Sequence, residues 1–366
     1  MFEVISMRAA MLLIPFVGLL QASTIYSLTD LGAMGGSSTV AFGINNSGIA
    51  VGWGEALTGD MGAFLSGSGG SMQNLAGLAG GTDTYAYGIN SAGTVVGTSY
   101  VNGQPHGEIW NGAKSTDLGS GSFATGINDA GMVIGGNGHA FLLVNGTYRD
   151  LGVLPGGNWS AAYGINNAGS VVGYGNIGNG MFRGFIWTPD GGMLELGTFG
   201  GNNSYANGIN SSGEVVGEAS LSNGYEHAFL AVGAVMTNLG TLGGGNSYAY
   251  GINDSGRVVG YSSVADGDPH AFVYVNGVMV DLNSLVPSGS GWELSEAYGI
   301  NNAGEIVGEG MFDGQAHAFR LDPEVTFSAQ ALVGQTVPEP GSGWLVGIGL
   351  GLVMVCVWRS KRINAA

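Results

Sequence analysis

The chain has 366 residues, of which 72 are Gly and only 10% are charged; it carries a net charge of −17 and a single cysteine, Cys356. Four of its nine basic residues (Arg8, Arg359, Lys361, Arg362) and one of its 26 acids (Glu3) lie in the end segments, which leaves five basic residues against twenty-five acids between them. This balance repels polyanions and excludes nucleic-acid binding, and one cysteine excludes a disulfide scaffold or a cysteine-based zinc site.

The N-terminus reads MFEVISMRAAMLLIPFVGLLQAST: a charged start, an apolar run from Ala9 to Leu20, then the small residues Ala22 and Ser23. Residues 1–22 therefore have the layout of a secretory signal peptide, beginning at Met1 or at Met7, and the protein is expected to be exported. Directly after it, TIYSLTDLG at Thr24 to Gly32 reads as a strand with no partner of its own.

Residues 23–322 then repeat one phrase, Ala-x-Gly-Ile-Asn-x-x-Gly followed by an apolar pair and Gly, seven times, from Ala41, Ala86, Ala124, Ala162, Ala206, Ala249 and Ala297. Spacings of 45, 38, 38, 44, 43 and 48 residues match the length of a four-stranded propeller blade. In the sixth copy the four strands are SYAYGIN, RVVGYSS, HAFVYV and VMVDL, with NDSG as the first hairpin turn. Strict alternation there puts Ala249 and Gly251 on one side, and Tyr250 and Ile252 on the other, filling the layer between sheets. The seventh unit stops after HAFRLDP without a fourth strand, so Thr24 to Gly32 is expected to supply it. The predicted fold is all-β: a seven-bladed β-propeller of four-stranded blades closed by an N-terminal strand, with a signal peptide and one C-terminal transmembrane helix. The His-Ala-Phe at His139, His227, His270 and His317, together with these phrases, resembles the HAF family of extracellular repeats. That resemblance implies an exported surface protein and no particular reaction.

All five histidines, His106, His139, His227, His270 and His317, fall at one repeat position, where Gly62 and Arg183 stand in the other two copies. Equivalent positions of separate blades are far apart, so each is read as bonding a strand or turn, with a metal-binding ring as the alternative. The Asn/Asp turns lack the alternating oxygen ligands and distal Glu of a calcium loop. No metal, cofactor or catalytic residue is therefore assigned. Candidates for ligand binding are positions that vary between copies or break the repeat: Trp53, Tyr174 and Tyr261 among the former, and Glu108, which replaces the Phe of the six other copies. Aromatic rings of this kind can stack on sugars. The alternative is an enzyme, a hydrolase or lyase acting on polysaccharide through a pair of carboxylates.

Residues 323–336 form a linker. Gly341 to Trp358 then gives eighteen uncharged residues, about 27 Å as a helix, bordered by Trp344 and Trp358 and followed by Arg359, Lys361 and Arg362. This is a membrane-spanning helix by length and flanks. Val337-Pro338-Glu339-Pro340, the helix and the basic end together resemble the PEP-CTERM sorting signal over residues 337–366. The resemblance implies an exosortase-type processing enzyme as partner, a temporary hold in the membrane, and a destination at the cell surface or extracellular matrix among exopolysaccharide.

Overall fold

A computed structural model describes residues 20–67, 71–233 and 235–329, and the side chains of those between 25 and 324. Residues 1–19 of the expected leader, the Pro-Glu-Pro motif, the apolar segment 341–358 and the basic end lie outside the described residues, while residues 20–22 of the expected leader open the strand Leu20–Gly32. Among the described residues there are 28 strands and one short 3-10 turn, Leu282–Ser284. Residues Ala22–Thr326 form one compact unit.

Five sheets consist of four antiparallel strands in chain order, running from Gly81–Ile89 to Lys114–Ser120, from Phe123–Ile127 to Thr147–Gly152, from Ser160–Ile165 to Gly192–Glu195, from Gly200–Ile209 to Val235–Asn238, and from Ser247–Ile252 to Val278–Asp281. The remaining eight strands form one sheet of two halves. Gly35–Ile44 to Met72–Leu75 make one half; Trp292–Ile300, Ile306–Phe312 and Gln315–Ala329 make the other, with Leu20–Gly32 paired to the last of these. A single parallel bridge, Ser38 to Ala316, joins the halves.

The N-terminal strand is locked in by the same device that locks each outer strand. Nδ1 of His106, His139, His227 and His270 meets Asp117, Asp150, Asn238 and Asp281 on the neighbouring strand at 2.7–3.0 Å. For His317 the partner is Asp30, 287 residues away, at 3.2 Å. Where Arg183 takes the histidine's place, its Nε lies 3.3 Å from Glu195 Oε1. The histidines are thus dispersed, one per sheet, each against its own outer strand.

The repeat phrase closes a circle. Each Gly-Ile-Asn amide donates to the main-chain carbonyl of the corresponding Asn in the next repeat: Asn45 to Asn90, Asn90 to Asn128, Asn128 to Asn166, Asn166 to Asn210, Asn210 to Asn253, Asn253 to Asn301, and Asn301 back to Asn45. The other amide oxygen shapes the hairpin. In the sixth copy Asn253 Oδ1 accepts from the amides of Ser255 and Arg257, while Gly256, at φ 75°, donates to the Asn253 carbonyl.

The layer between sheets is not filled as strict alternation predicts. It contains the repeat alanines, such as Ala249 and Ala297, the Val pairs of the second strands, and Phe64, Phe141, Phe185, Phe229, Phe272 and Phe319, each almost wholly buried. These residues form seven separate apolar clusters. A β-bulge explains the difference: between Ala249 and Gly251 the register against the second strand slips by one, so that Ala249 faces Gly260 and Gly251 faces Val259. Tyr250 is the extra residue, and the bulge turns it out of the pleat. The same slip occurs in all seven copies. It brings the backbones so close that a Cβ at Gly260 would stand 1.9 Å from the Tyr248 carbonyl, which accounts for the fixed Gly.

Candidate functional site

The bulge gathers one residue per repeat around the axis. Phe42, Tyr87, Thr125, Tyr163, Asn207, Tyr250 and Tyr298, the x of every Ala-x-Gly, line a single cavity of about 720 Å³. Rings of successive repeats touch: Tyr250 and Tyr298 at 5.1 Å between centroids, Tyr298 and Phe42 at 4.5 Å, Phe42 and Tyr87 at 5.7 Å. Beyond them the Gly-Ile pairs form a neck, and the Asn circle surrounds the far end. At the neck a Cβ on Gly43 would come within 2.8 Å of the Tyr87 carbonyl of the next repeat, so glycine permits this approach.

Eleven residues after each x comes a second-strand side chain that backs it. These are the variable positions Trp53, Thr98, Gly136, Tyr174, Glu218, Tyr261 and Glu309. All seven are buried or half-buried behind or within the cavity wall. Tyr174 stacks on Tyr163 at 4.9 Å with the hydroxyls 2.9 Å apart, Trp53 stacks beside Phe42, and Tyr261 stacks on Tyr248. Three of the four candidate binding residues, Trp53, Tyr174 and Tyr261, therefore share one neighbourhood, and Tyr174 lines the cavity directly.

Glu108 is elsewhere. It faces Gly97 and Asp117 across its sheet, in the place of the interlayer Phe, and is fully buried. Ser99 donates to its Oε2, and burial pushes its carboxyl above the ordinary range.

Sequence reasoning did not assign the acids that do stand at the cavity to a common site. Glu218 lines it, only 9% exposed, and accepts from Asn207 Nδ2 at 2.7 Å. Burial pushes its carboxyl up to about 8. The Tyr298 hydroxyl is 2.8 Å from Glu296 Oε2 and 3.3 Å from Glu309 Oε1. Burial raises both acids, Glu296 to about 7. Glu296 precedes the repeat's Ala where other copies have Val, Ala or an aromatic residue, a departure that could have marked it. On the opposite wall Thr98, 2% exposed, has a hydroxyl with no hydrogen-bond partner among the described residues.

All-β sheets arranged in chain order about one axis, with a funnel at one end, define a β-propeller. No protein-family model matches the chain, and no curated protein matches it significantly. Among solved structures it is similar to a streptogramin B lyase, at 11% identity and a TM-score of 0.52, over 82% of this chain and 98% of the other. It is also similar to a puromycin hydrolase, at 10% identity and a TM-score of 0.52, and to a puromycin-hydrolyzing peptidase of Mycobacterium tuberculosis, at 13% and 0.51. The similar regions make up 55% and 54% of those two chains. At such identities the likeness is one of fold.

Proposed function

We propose that this chain is an exported, seven-bladed β-propeller that binds carbohydrate in its axial funnel, as a non-catalytic module of the cell surface or extracellular matrix associated with exopolysaccharide. The closed circle of seven Asn amides and the seven apolar clusters support the blade count, the two halves of the eight-stranded sheet being separate blades. The convergence of seven first-strand positions on one aromatic cavity carries the binding reading. Phenol and indole faces bury the apolar faces of sugar rings while hydroxyls remain at the edges for polar contacts. The leader, Val337-Pro338-Glu339-Pro340, the apolar segment and Arg359, Lys361 and Arg362 support delivery by export and exosortase-type processing, with the membrane as a temporary partner.

The test has two parts. Neutral glucan and galactan hexamers are titrated into the protein by calorimetry, with product analysis by chromatography in parallel. Binding without turnover, weakened at least tenfold by Tyr87→Ala, is the expected result; binding that ignores Tyr87→Ala would overturn the funnel as the site. Mass spectrometry of the mature C-terminus tests the processing.

Glu218 and Glu296, with carboxyls raised toward neutral pH, favour a second reading, a glycan hydrolase or lyase with one of them as general acid. Product formation abolished by Glu218→Gln would establish it.

A further inference from the structure

Three acids border the funnel on the side built by repeats five to seven, and nothing in the binding reading uses them. The lining of the cavity contains no Lys, Arg or His. Glu218 opens onto it with one amide donor, and Glu296 and Glu309 share the hydroxyl of Tyr298, itself a lining residue. Between these groups stands Tyr250, whose phenol is raised first by burial and then by the nearby carboxylates of Glu296 and Glu218.

Buried carboxylates that lack a cation lose hydration and gain little in return. An anionic ligand would add repulsion, and a neutral one would leave the acids uncompensated. A hard metal ion needs six to eight oxygens close together. Here two of the acids reach the cavity through a phenol, and the surfaces between them are ring faces. Ring faces carry negative potential and attract soft organic cations, the more so when water is excluded. Thr98, across the cavity, has a hydroxyl buried in the wall with no partner among the described residues.

We infer that the Glu218, Glu296 and Glu309 side of the funnel is a subsite for an organic ammonium group, presented by an amino sugar. The amino-sugar part rests on the carbohydrate reading above; the ammonium part does not. The cation enters against the Tyr250 and Tyr298 faces with Glu218 as its nearest charge. Glu218 meets Asn207 and Tyr205 on its own sheet, Tyr250 and Tyr261 from the next repeat, and Glu226 nearby. None of these is basic, so an incoming ammonium is the group that can hold it ionised, and binding at neutral pH releases a proton from the acid.

Isothermal titration of the full-length chain in detergent tests this with four probes: a β-1,4-glucosamine hexamer, its N-acetylated counterpart, a cellulose hexamer, and choline. The expected result is that the amine hexamer binds at least tenfold tighter than either neutral hexamer. The binding heat of choline, whose charge is permanent, should change with buffer ionisation enthalpy in the direction of proton release. Glu218→Gln should remove the preference, the double variant Glu296→Gln/Glu309→Gln should reduce it, and Glu108→Gln, outside the cavity, should leave it intact. Equal binding of the three hexamers overturns the subsite and leaves the carbohydrate reading standing. Choline binding sensitive to Glu218→Gln, with no hexamer bound, supports the ammonium subsite and overturns the carbohydrate reading. Failure of all four probes overturns both.

Discussion

The side-chain amide of Asn301 donates to the main-chain carbonyl of Asn45, 256 residues earlier, at 2.9 Å. No other step in the circle of amides spans more than 48 residues, so this bond joins the last repeat to the first. Its Oδ1 also accepts from Ala303 and Glu305, so one buried side chain both shapes a turn and closes the ring. Asn301→Ala should cost about 2–4 kcal/mol, because it removes the ring bond and the acceptor of both the Ala303 and Glu305 amides, while the Asn45 carbonyl keeps the Gly48 amide. Asn166→Ala, the same change in mid-ring, should cost about as much in urea unfolding. A loss for Asn166 alone would mean the ring is open at Asn301.

The N-terminal strand makes a second, independent closure through Asp30 and His317. Deleting residues 24–32 removes Tyr26 and Leu31 from two apolar clusters as well as the outer strand of the last sheet. The melting temperature of the deletion should fall by about 5–10 °C from these two side chains alone, whose burial is worth about 3–6 kcal/mol, and further from the strand's lost hydrogen bonds. An unchanged melting curve would show that the strand is dispensable.

Acid at the funnel should make stability depend on pH in an unusual sense. Glu218 titrates near 8 in the folded chain against an ordinary 4.5, because burial disfavours its charge. Between these values the folded state holds a proton that the unfolded state has lost, so stability is full below pH 4.5 and declines as pH rises toward 8. The slope from this one group is at most about 1.4 kcal/mol per pH unit. Urea midpoints measured from pH 5 to 8 should fall in the wild type and be flatter in Glu218→Gln. A parallel decline in both would assign the effect to other groups.

Glu108 occupies the interlayer position that Phe fills six times, and its carboxyl sits fully buried there. Glu108→Phe should raise stability by about 1–3 kcal/mol at pH 7.5, where a buried charge is most costly, and leave ligand affinity unchanged. Thermal unfolding and calorimetry on the same sample check both halves.

Much of this architecture was legible because turn chemistry and composition recur with it. Asn253-Asp254-Ser255-Gly256 announces its hairpin, and the Asp of TIYSLTDLG matches the outer-strand acids closely enough to predict the clasp. The funnel was harder to read. A bulge adds one residue without any composition of its own, so period-two alternation assigned Tyr250 to the wrong side, and with it every x. The constant interval of eleven from Tyr250 to Tyr261, or from Asn207 to Glu218, was present in the chain, yet its meaning depends on knowing that the strands slip. Glu296 was missed for the same reason: without the slip, nothing places it beside Glu309.

The bulge has one more consequence. The residues that build the frame, from Ala249 to Gly260 and Phe272, face away from those that border the funnel, so the two sets can change separately. Fourteen positions around one opening are free to vary while the scaffold beneath stays fixed, much as interchangeable heads fit one handle. A library randomised at those positions should keep its fold at a high rate and differ in what it captures, and related chains with the same spacing should carry mouths of different chemistry.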